Sequence, residues 1–342
     1  MKIHQKHIVI FILLIFSSLL LLLLNISFGQ IAIPIKEVFK SLMGSHANKE
    51  TWEYIIFNYR LPKAITAILV GMGLSISGLL MQTLFRNPLA GPYVLGLSSG
   101  SSLGVAFIIL GAGYLPAFIA EYFLSSYGIM LASCLGSFFV LLLVLLVSNK
   151  LRDTTSILIV GLMFGSFSSA IVSVLAYFSS AAQLQKFTFW SMGSLGNLTW
   201  NQILLLLFSV IIGLLLSLSN IKSLDALLLG ENYAKSMGVN FRKSKFTIII
   251  ATSILAGSIT AFAGPIAFIG LAVPHIAKII FQTSSHSILF WGTLILGSIV
   301  MLFCDIVSQL PGSDIILPIN AITSIVGAPV VIWLLIRKQS FS

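Results

Sequence analysis

The sequence predicts an all-α integral membrane protein with about ten transmembrane helices. Of its 342 residues, 58% are hydrophobic and only 8% are charged, whereas about a quarter of the residues of a soluble domain are usually charged. A membrane-spanning helix needs roughly 20 mostly apolar residues, and the chain holds enough apolar residues for roughly ten such helices. This composition excludes a soluble enzyme, a disordered chain and a nucleic-acid-binding domain.

The apolar runs can be followed in order along the chain. The first, from Ile8 to Leu24, follows Lys2 and Lys6. It is long, no small-residue cleavage site follows it, and many more spans come after it, so we predict an uncleaved first span. Further spans are predicted at 62–81, 94–112, 127–147, 155–178, 201–219, 246–263, 267–281, 288–306 and 316–336.

One of these regions contains several helix breakers. Gly264, Pro265, Gly270 and Pro274 lie in or beside the predicted span 267–281. Non-helical backbone is tolerated at membrane depth only where protein or a water-filled cavity covers it. We therefore expect these residues to interrupt the helix.

The distribution of basic residues predicts the orientation. If the N-terminus is cytoplasmic, 13 of the 19 Lys and Arg residues fall in cytoplasmic segments, as the positive-inside rule requires. Five of the other six lie in or beside one long outer segment, from Ser27 to Leu61. The net charge of +10 therefore reflects topology and not a nucleic-acid partner, and we predict that both termini are cytoplasmic.

The sequence lacks motifs for several of the usual enzymatic and ion-coupled chemistries. Without a Gly-x-x-x-x-Gly-Lys-Ser/Thr phosphate loop, the chain cannot bind and hydrolyse ATP in the usual way. There is also no His-Glu-x-x-His motif. The spans carry few ionisable residues, although ion-driven transporters generally keep such residues as coupling sites. We expect no catalytic residue and no bound cofactor, and we expect energy for transport to come from another subunit.

Histidines and cysteines do not form a metal-ligand pattern. The histidine pairs lack carboxylate or cysteine companions at ligand spacing; these pairs are His4 with His7 and His275 with His286. The two cysteines, Cys134 and Cys304, fall inside apolar runs, so no disulfide framework is indicated. We therefore expect no metal site.

Small residues recur every four positions on two predicted helices, where they share one helix face. The first stripe is Gly96, Gly100 and Gly104, and the second is Gly161, Gly165, Ser169 and Ser173. Such stripes let helix backbones approach closely. Either they serve tight packing, or they leave room for a bulky passenger or for sliding during gating.

A predicted cytoplasmic loop contains a short amphipathic pattern. Leu229, Tyr233 and Met237 recur at helical spacing, around two glycines, Gly230 and Gly238. From composition alone, this segment either lies on the membrane surface or sits in a groove on a cytoplasmic partner.

Several motifs, in order from Arg60 to the C-terminus, resemble the FecCD-type permeases of type II ABC importers. These permeases import ferric siderophores, haem and vitamin B12. The matching stretches are Arg60-Leu61-Pro62-Lys63, residues 77–82, Asn87-Pro88-Leu89-Ala90-Gly91-Pro92, residues 95–100, Leu229-Gly230-Glu231 with Ala234 and Gly238, residues 264–271, Pro274-His275, Asp305, Leu317-Pro318 and Gly327-Ala328-Pro329.

The resemblance implies the type II ABC importer permease fold, with residues 1–342 as a single transmembrane permease domain. It also implies a homodimer in the bacterial inner membrane, two cytoplasmic ATPase subunits that use ATP, and an extracytoplasmic substrate-binding protein. The passenger is expected to be a ferric siderophore, with haem or cobalamin as the alternatives. The rival classes are a secondary transporter or channel, an intramembrane enzyme and a non-transporting scaffold.

The resemblance also assigns expected roles to individual residues. Residues 222–240 correspond to the coupling-helix segment, with ATPase contacts expected at Leu229, Gly230, Glu231, Ala234 and Gly238. Arg60 and Lys63 correspond to basic residues that dock the binding protein. The translocation gate is expected at Asn87, Leu89, Thr154, Thr155 and Ser156. The family often has an arginine shortly after the Asp305 position, but here Ser308 and Gln309 follow, which puts one docking contact in doubt.

Overall fold

The computed structural model describes residues 2–114, 116–150, 154–196, 198–230, 233, 236–312 and 315–339. Every regular element in these ranges is helical. Seven helices are long and apolar enough to cross a membrane, and shorter apolar helices cover Leu97–Gly113, Ile269–Phe281 and Ile319–Trp333. These helices account for the ten predicted spans and confirm the all-α membrane fold.

The helices of the described residues are numbered here in chain order. They are α1 Lys2–Ser27, α2 Ile35–Leu42, α3 Glu50–Ile55, α4 Leu61–Leu84, α5 Leu97–Ile109, α6 Ala117–Phe123, α7 Ser126–Lys150, α8 Thr154–Tyr177, α9 Ala181–Ser191, α10 Trp200–Leu218, α11 Ile221–Leu228, α12 Phe241–Ala263, α13 Ile269–Phe281, α14 His286–Ser308 and α15 Ile319–Gln339. A π-helical turn, Ile56–Arg60, joins α3 to α4, and 3-10 turns flank α5 at Pro92–Leu95 and Gly111–Tyr114.

The chain forms two compact units. Unit 1 comprises Met1–Ile76, Ser194–Leu207 and Ile266–Ser342, and unit 2 comprises Ser77–Gly193 and Phe208–Pro265. The helices α4 and α10 each contribute one part to each unit.

In unit 1, α14 packs against α1, α13 and α15. The helices α4 and α14 touch through their backbones, because a Cβ atom on Gly71 or on Gly297 would overlap the carbonyl group of the other glycine. The Ser75 hydroxyl donates to the carbonyl oxygen of Thr293 at 3.1 Å beside this contact. Small residues thus permit a close helix pair, as is common in membrane proteins.

In unit 2, α5 packs against α7, α8 and α12. Its apolar end is the centre of a buried cluster of four residues: Val105, Ala106, Ile109 and Leu110. Partly buried side chains from the neighbouring helices, among them Val172, Phe187 and Trp190, pack around this cluster. The short α5 is therefore held by tertiary packing on several sides.

Three of the predicted spans, 94–112, 267–281 and 316–336, begin later than expected, at Leu97, Ile269 and Ile319. The prediction for 94–112 was wrong at its start, because Gly96 has a left-handed φ of +76° and separates a 3-10 turn from α5. The prediction that Gly270 and Pro274 interrupt a helix was also wrong, since both lie inside α13. The irregular backbone is confined to residues 264–268.

Tertiary contacts stabilise this irregular segment. Gly264 and Phe268 both have left-handed φ values, +76° and +67°. The main-chain N–H of Ala267 donates to Asn320 Oδ1 at 3.0 Å. Gly327 of α15 leaves room for Phe268, because a Cβ at position 327 would overlap the Phe268 side chain. The segment is therefore covered by protein, as non-helical backbone at membrane depth requires.

The hydropathy pattern did not predict α2, α3, α6 and α9. A local signal was present for α9, because Ser180 and Gln183 form a capping box. The N–H of Ser180 donates to Gln183 Oε1 at 2.9 Å, and the N–H of Gln183 donates to Ser180 Oγ at 3.4 Å. The long polar segment from Ser27 to Leu61 contains α2, α3 and the π-helical turn.

Candidate functional site

Arg60 ends the π-helical turn, and its guanidinium contacts the end of α1. Nη1 donates to the carbonyl oxygens of Ile26 at 2.6 Å and Ser27 at 2.7 Å, and Nη2 donates to the carbonyl oxygen of Ile31. The last carbonyls of a helix have no partner within the helix, and a cation there is favoured by the helix dipole. The buried Arg60 side chain therefore fixes the junction between α1 and the following loop.

Lys63, one turn into α4, pairs with a buried carboxylate. Its Nζ lies 3.0 Å from Asp305 Oδ1, within ion-pair distance. Asp305 Oδ2 accepts hydrogen bonds from Asn25 Nδ2 and Gln309 Nε2, both at 2.9 Å. We call Asn25, Lys63, Asp305 and Gln309 the Asp305 cluster. It ties together α1, α4 and the end of α14.

These contacts bear on the two residues predicted to dock a binding protein. Asp305 is 1% exposed and the Lys63 side chain is 17% exposed. Both predicted docking residues, Arg60 and Lys63, make their main polar contacts within their own chain. Gln309, one of the two residues noted where an arginine was expected shortly after Asp305, donates a hydrogen bond to Asp305. No sequence pattern indicated that bond. The docking role stays a prediction.

The glycine stripe of α5 is used for packing. A Cβ on Gly100 or Gly104 would overlap main-chain atoms of α7, the carbonyl groups of Gly136 and Ala132 respectively. A Cβ on Gly96 would lie 2.9 Å from the carbonyl oxygen of Gly161 on α8. The packing interpretation therefore holds for all three glycines.

The stripe of α8 divides into two halves. Gly161 is buried, and a Cβ on Gly165 would lie 3.3 Å from the Ser99 hydroxyl of α5. Ser169 and Ser173 are exposed instead, and the Ser173 hydroxyl donates to the Ser169 carbonyl at 2.9 Å. The glycine half thus packs on α5, whereas the serine half presents small polar side chains at the surface of unit 2.

A turn follows α4 and carries two of the predicted gate residues. We call residues 85–91 the Asn-Pro loop. Asn87 Oδ1 accepts the N–H of Leu89 at 2.9 Å, and the N–H of Ala90 donates to the Asn87 carbonyl at 3.0 Å. Asn before Pro favours such a turn, because its side chain can bond the backbone two residues on. Leu89 lies at the exposed tip of this turn.

Of the other predicted gate residues, Thr154 begins α8 and Thr155 and Ser156 follow in its first turn. The side chains of Thr154 and Thr155 lie outside the described residues. Ser156 is half-buried.

The 222–240 segment includes most of α11, and its described residues include several exposed apolar side chains. Leu229, Tyr233 and Met237 are each more than half exposed, and the N–H of Met237 donates to the Tyr233 carbonyl at 3.1 Å, as in a helical turn. Gly230 and Gly238 have left-handed φ values, and a Cβ on either would meet open space. The predicted contacts Glu231 and Ala234 lie outside the described residues.

One contact joins the Asn-Pro loop to the 222–240 segment, and sequence reasoning missed it. Arg86 Nε donates to the main-chain carbonyl of Leu227 at 3.1 Å. The Arg86 backbone has a φ of +46°, which is uncommon for a residue other than glycine. The sequence feature that could have indicated this contact is the basic residue directly before Asn87-Pro88.

No group of three or more His, Cys, Asp or Glu side chains that could hold a metal ion occurs in the described part of the chain. His7 is buried, and its Nε2 is 3.0 Å from the Phe281 carbonyl. Cys304 is buried and Cys134 is half-buried, and neither forms a disulfide.

Comparison with known proteins gives a consistent result over nearly the whole chain. Residues 13–337 match the FecCD transport family. The hemin transport system permease protein HmuU of Yersinia pestis is 33% identical over 328 residues, which cover 95% of this chain and 96% of HmuU. The vitamin B12 import system permease protein BtuC of Salmonella typhi is 34% identical over 287 residues, which cover 84% of this chain and 85% of BtuC.

Solved structures share the same fold. A metal-chelate type ABC transporter in an inward-facing conformation matches with a TM-score of 0.84 and 28% identity, over 96% of this chain and 99% of that chain. PsaBC of Streptococcus pneumoniae matches with a TM-score of 0.53 and 14% identity over 86% of this chain and 94% of that chain, and this similarity concerns the fold alone. The chain belongs to the FecCD transport family and is a multi-pass membrane permease of an ABC importer.

Proposed function

We propose that this chain forms the translocation pathway of an ATP-driven importer for an iron chelate, most specifically a ferric siderophore. Two copies form the pathway in the bacterial inner membrane, with both termini cytoplasmic. Two separate ATPase subunits bind on the cytoplasmic side, and an extracytoplasmic binding protein delivers the chelate. The chain itself catalyses no covalent step.

The observation that carries this proposal is the FecCD match over residues 13–337 in a sequence that has no phosphate loop. A permease without its own nucleotide site needs ATP hydrolysis on another chain. The exposed row Leu229, Tyr233 and Met237 supports this arrangement, because an exposed apolar surface commonly marks a site of protein interaction.

The substrate class is supported by two of the similar proteins. The structural match is to a metal-chelate type transporter, and the relative HmuU is a hemin permease, so both handle metal chelates. Haem is therefore the second candidate passenger. Vitamin B12 is the third, because BtuC is similar at nearly the same identity.

In the proposed mechanism, ATP binding and hydrolysis bias which side of the pathway is open. The 222–240 segment receives the movement of the ATPase, with Glu231 and Ala234 in the contact. Asn87 and Leu89 narrow the inner exit, and Thr154, Thr155 and Ser156 form a second gating element. The surface around Arg60 and Lys63 receives the binding protein.

The experiment that tests the passenger is uptake by a strain that lacks this gene. Ferric hydroxamate siderophore, haemin and cyanocobalamin are each supplied as the limiting nutrient. We expect loss of ferric siderophore uptake alone, restored by the gene only when the ATPase subunit is intact. Loss of haemin or cobalamin uptake alone would assign that passenger instead. Normal uptake of all three, in a strain without redundant importers, would contradict the proposal.

A further inference from the structure

Arg86 occupies a backbone position that usually belongs to glycine. Its N–H donates to the Thr83 carbonyl and the N–H of Asn87 donates to the Gln82 carbonyl, both at 3.2 Å. This pair of bonds is the Schellman motif that ends many helices, in which the central residue is left-handed and commonly glycine. With a φ of +46°, Arg86 bears the steric penalty of a Cβ in that region. The turn alone gives no reason for an arginine.

The Arg86 side chain supplies a reason, because it reaches the end of α11. Nε donates at 3.1 Å to the carbonyl of Leu227, which also accepts the N–H of Gly230 at 3.2 Å. The last carbonyls of a helix lack partners within the helix, and a cation is favoured beside them. The arginine therefore caps α11 at the point where the exposed row of the 222–240 segment begins.

The contact connects two features that the proposed mechanism needs to move together. On one side, Asn87 and Leu89 follow Arg86 directly, in a turn held by the bond from the Leu89 N–H to Asn87 Oδ1 at 2.9 Å. On the other side, Leu229 follows Leu227 by two residues. A displacement of the α11 end thus reaches the exposed tip of the Asn-Pro loop through one hydrogen bond and a short, constrained turn.

We propose that Arg86 is a positioning residue that transmits movement of the 222–240 segment to the Asn-Pro loop. This inference rests on the proposed function, since it takes the 222–240 segment as the ATPase contact and Leu89 as part of the inner exit. An arginine suits the role because its Nε–H lies in a rigid planar group, which a lysine ammonium on a flexible stem lacks. Backbone strain at a position with a defined side-chain contact is typical of functional sites.

Arg86→Gly separates this role from a structural one. Glycine adopts the left-handed conformation without penalty, so the variant keeps the turn and loses only the side-chain contact. Gln282→Gly is the matched control, because Gln282 also has a left-handed φ, of +50°, and caps α13. We expect neither variant to lower the unfolding temperature. Arg86→Lys should behave like Arg86→Gly in the measurements below.

The first measurement needs no partner protein. Nitroxide labels are placed at Leu89→Cys and Met237→Cys in a Cys134→Ser, Cys304→Ser background in lipid nanodiscs, and their distance is measured by electron spin resonance. We expect one narrow distance distribution in the parent protein and in Gln282→Gly, and a broad one in Arg86→Gly. An unchanged distribution in Arg86→Gly would overturn the inference.

The second measurement follows coupling in proteoliposomes that contain the permease, its ATPase and its binding protein. Radiolabelled ferric hydroxamate, haemin and cyanocobalamin are the probes. We expect Arg86→Gly to retain ATPase binding and to raise the ATP hydrolysed per chelate imported by roughly tenfold, within the usual range of coupling effects. An unchanged ratio in Arg86→Gly would overturn the inference. Failure of the parent permease to bind any ATPase would instead refute the proposed function. The label distances are measured without an ATPase, so the two failures can be told apart.

Discussion

At the residue scale, three main-chain carbonyls near the end of α1 share one guanidinium, that of Arg60. Removing a buried donor leaves its acceptors without partners, and a hydrogen bond to a charged group typically contributes about 1.5–3 kcal/mol. We therefore expect Arg60→Met to lower the free energy of unfolding by roughly 3 kcal/mol. Arg60→Lys should lose less, because it keeps the positive charge.

Chemical denaturation of the purified permease in detergent would measure this difference. The control is Lys36→Met, which removes a basic side chain that is exposed on α2. If Arg60→Met and Lys36→Met have the same free energy of unfolding, Arg60 does not fix the end of α1. That result would favour a role for Arg60 in docking alone.

The contacts of Glu37 on α2 lead us to expect that the order of residues 35–49 depends on pH. The main-chain N–H of Asn48 donates to Glu37 Oε2 at 2.9 Å, and Lys40 Nζ lies 3.0 Å from Oε1. The hydrogen bond from Asn48, followed by that from Lys40, lowers the pKa of Glu37 below its ordinary value. A carboxyl whose pKa is lower in the folded state stabilises that state above its unfolded pKa, and this contribution is lost as the pH falls through the folded pKa.

Hydrogen exchange of residues 35–49 at several pH values would detect this effect. We expect these amides to be protected at neutral pH and to exchange faster in acid than intrinsic rates explain. In Glu37→Gln the protection should be lower at neutral pH and should change little with pH. A pH response of the same size in that variant would show that another group is responsible.

The Asp305 cluster shows where residue-level reasoning from sequence stopped. The sequence motifs marked both Lys63 and Asp305, but their separation along the chain gave no indication that they pair. The sequence shows Ser308 and Gln309 in place of an expected arginine, and in the structure Gln309 donates to the same carboxylate. Such pairing depends on how α1, α4 and α14 pack, and one sequence does not specify that packing.

At the element scale, the glycines of α5 and of the 3-10 turn after it differ sharply in the space around them. A Cβ on Gly104 would overlap the Ala132 carbonyl, whereas a Cβ on Gly111, in the turn after α5, would meet open space. Overpacking a well-packed contact typically costs about 1–3 kcal/mol. We expect Gly104→Ala to lower the unfolding temperature of the permease and Gly111→Ala to leave it nearly unchanged, as measured by a thermal-shift assay. Equal unfolding temperatures would contradict the close packing of α5 on α7.

The ten apolar helices were predictable because each needs a long apolar run, a property of the local sequence. The short α2, α3, α6 and α9 were not predicted, since a helix of 6–11 residues forms mainly where packing supports it. The left-handed backbones of Arg86 and Phe268 were also unpredictable. The side chain of each contacts a residue far along the chain, Leu227 in one case and Gly327 in the other.

At the scale of the whole molecule, membership of the FecCD family was predictable because ordered motifs from Arg60 to Pro329 carry it. The division of the chain into two compact units was not apparent, because each unit gathers segments that are far apart in sequence. The passenger was not predictable either. Haem and vitamin B12 permeases are similar to this chain at nearly the same identity, so the shared motifs do not distinguish their substrates.

The most direct test of the central claim is chelate accumulation in proteoliposomes that contain the permease, its ATPase and its binding protein. Radiolabelled ferric hydroxamate is supplied on the binding-protein side, with or without ATP on the other side. The variants are Ala234→Arg, in the proposed ATPase contact, and Met43→Arg, which introduces the same side chain at an exposed position after α2. We predict ATP-dependent accumulation by the parent permease and by Met43→Arg, and none by Ala234→Arg. Equal accumulation without ATP or without the ATPase would contradict the account.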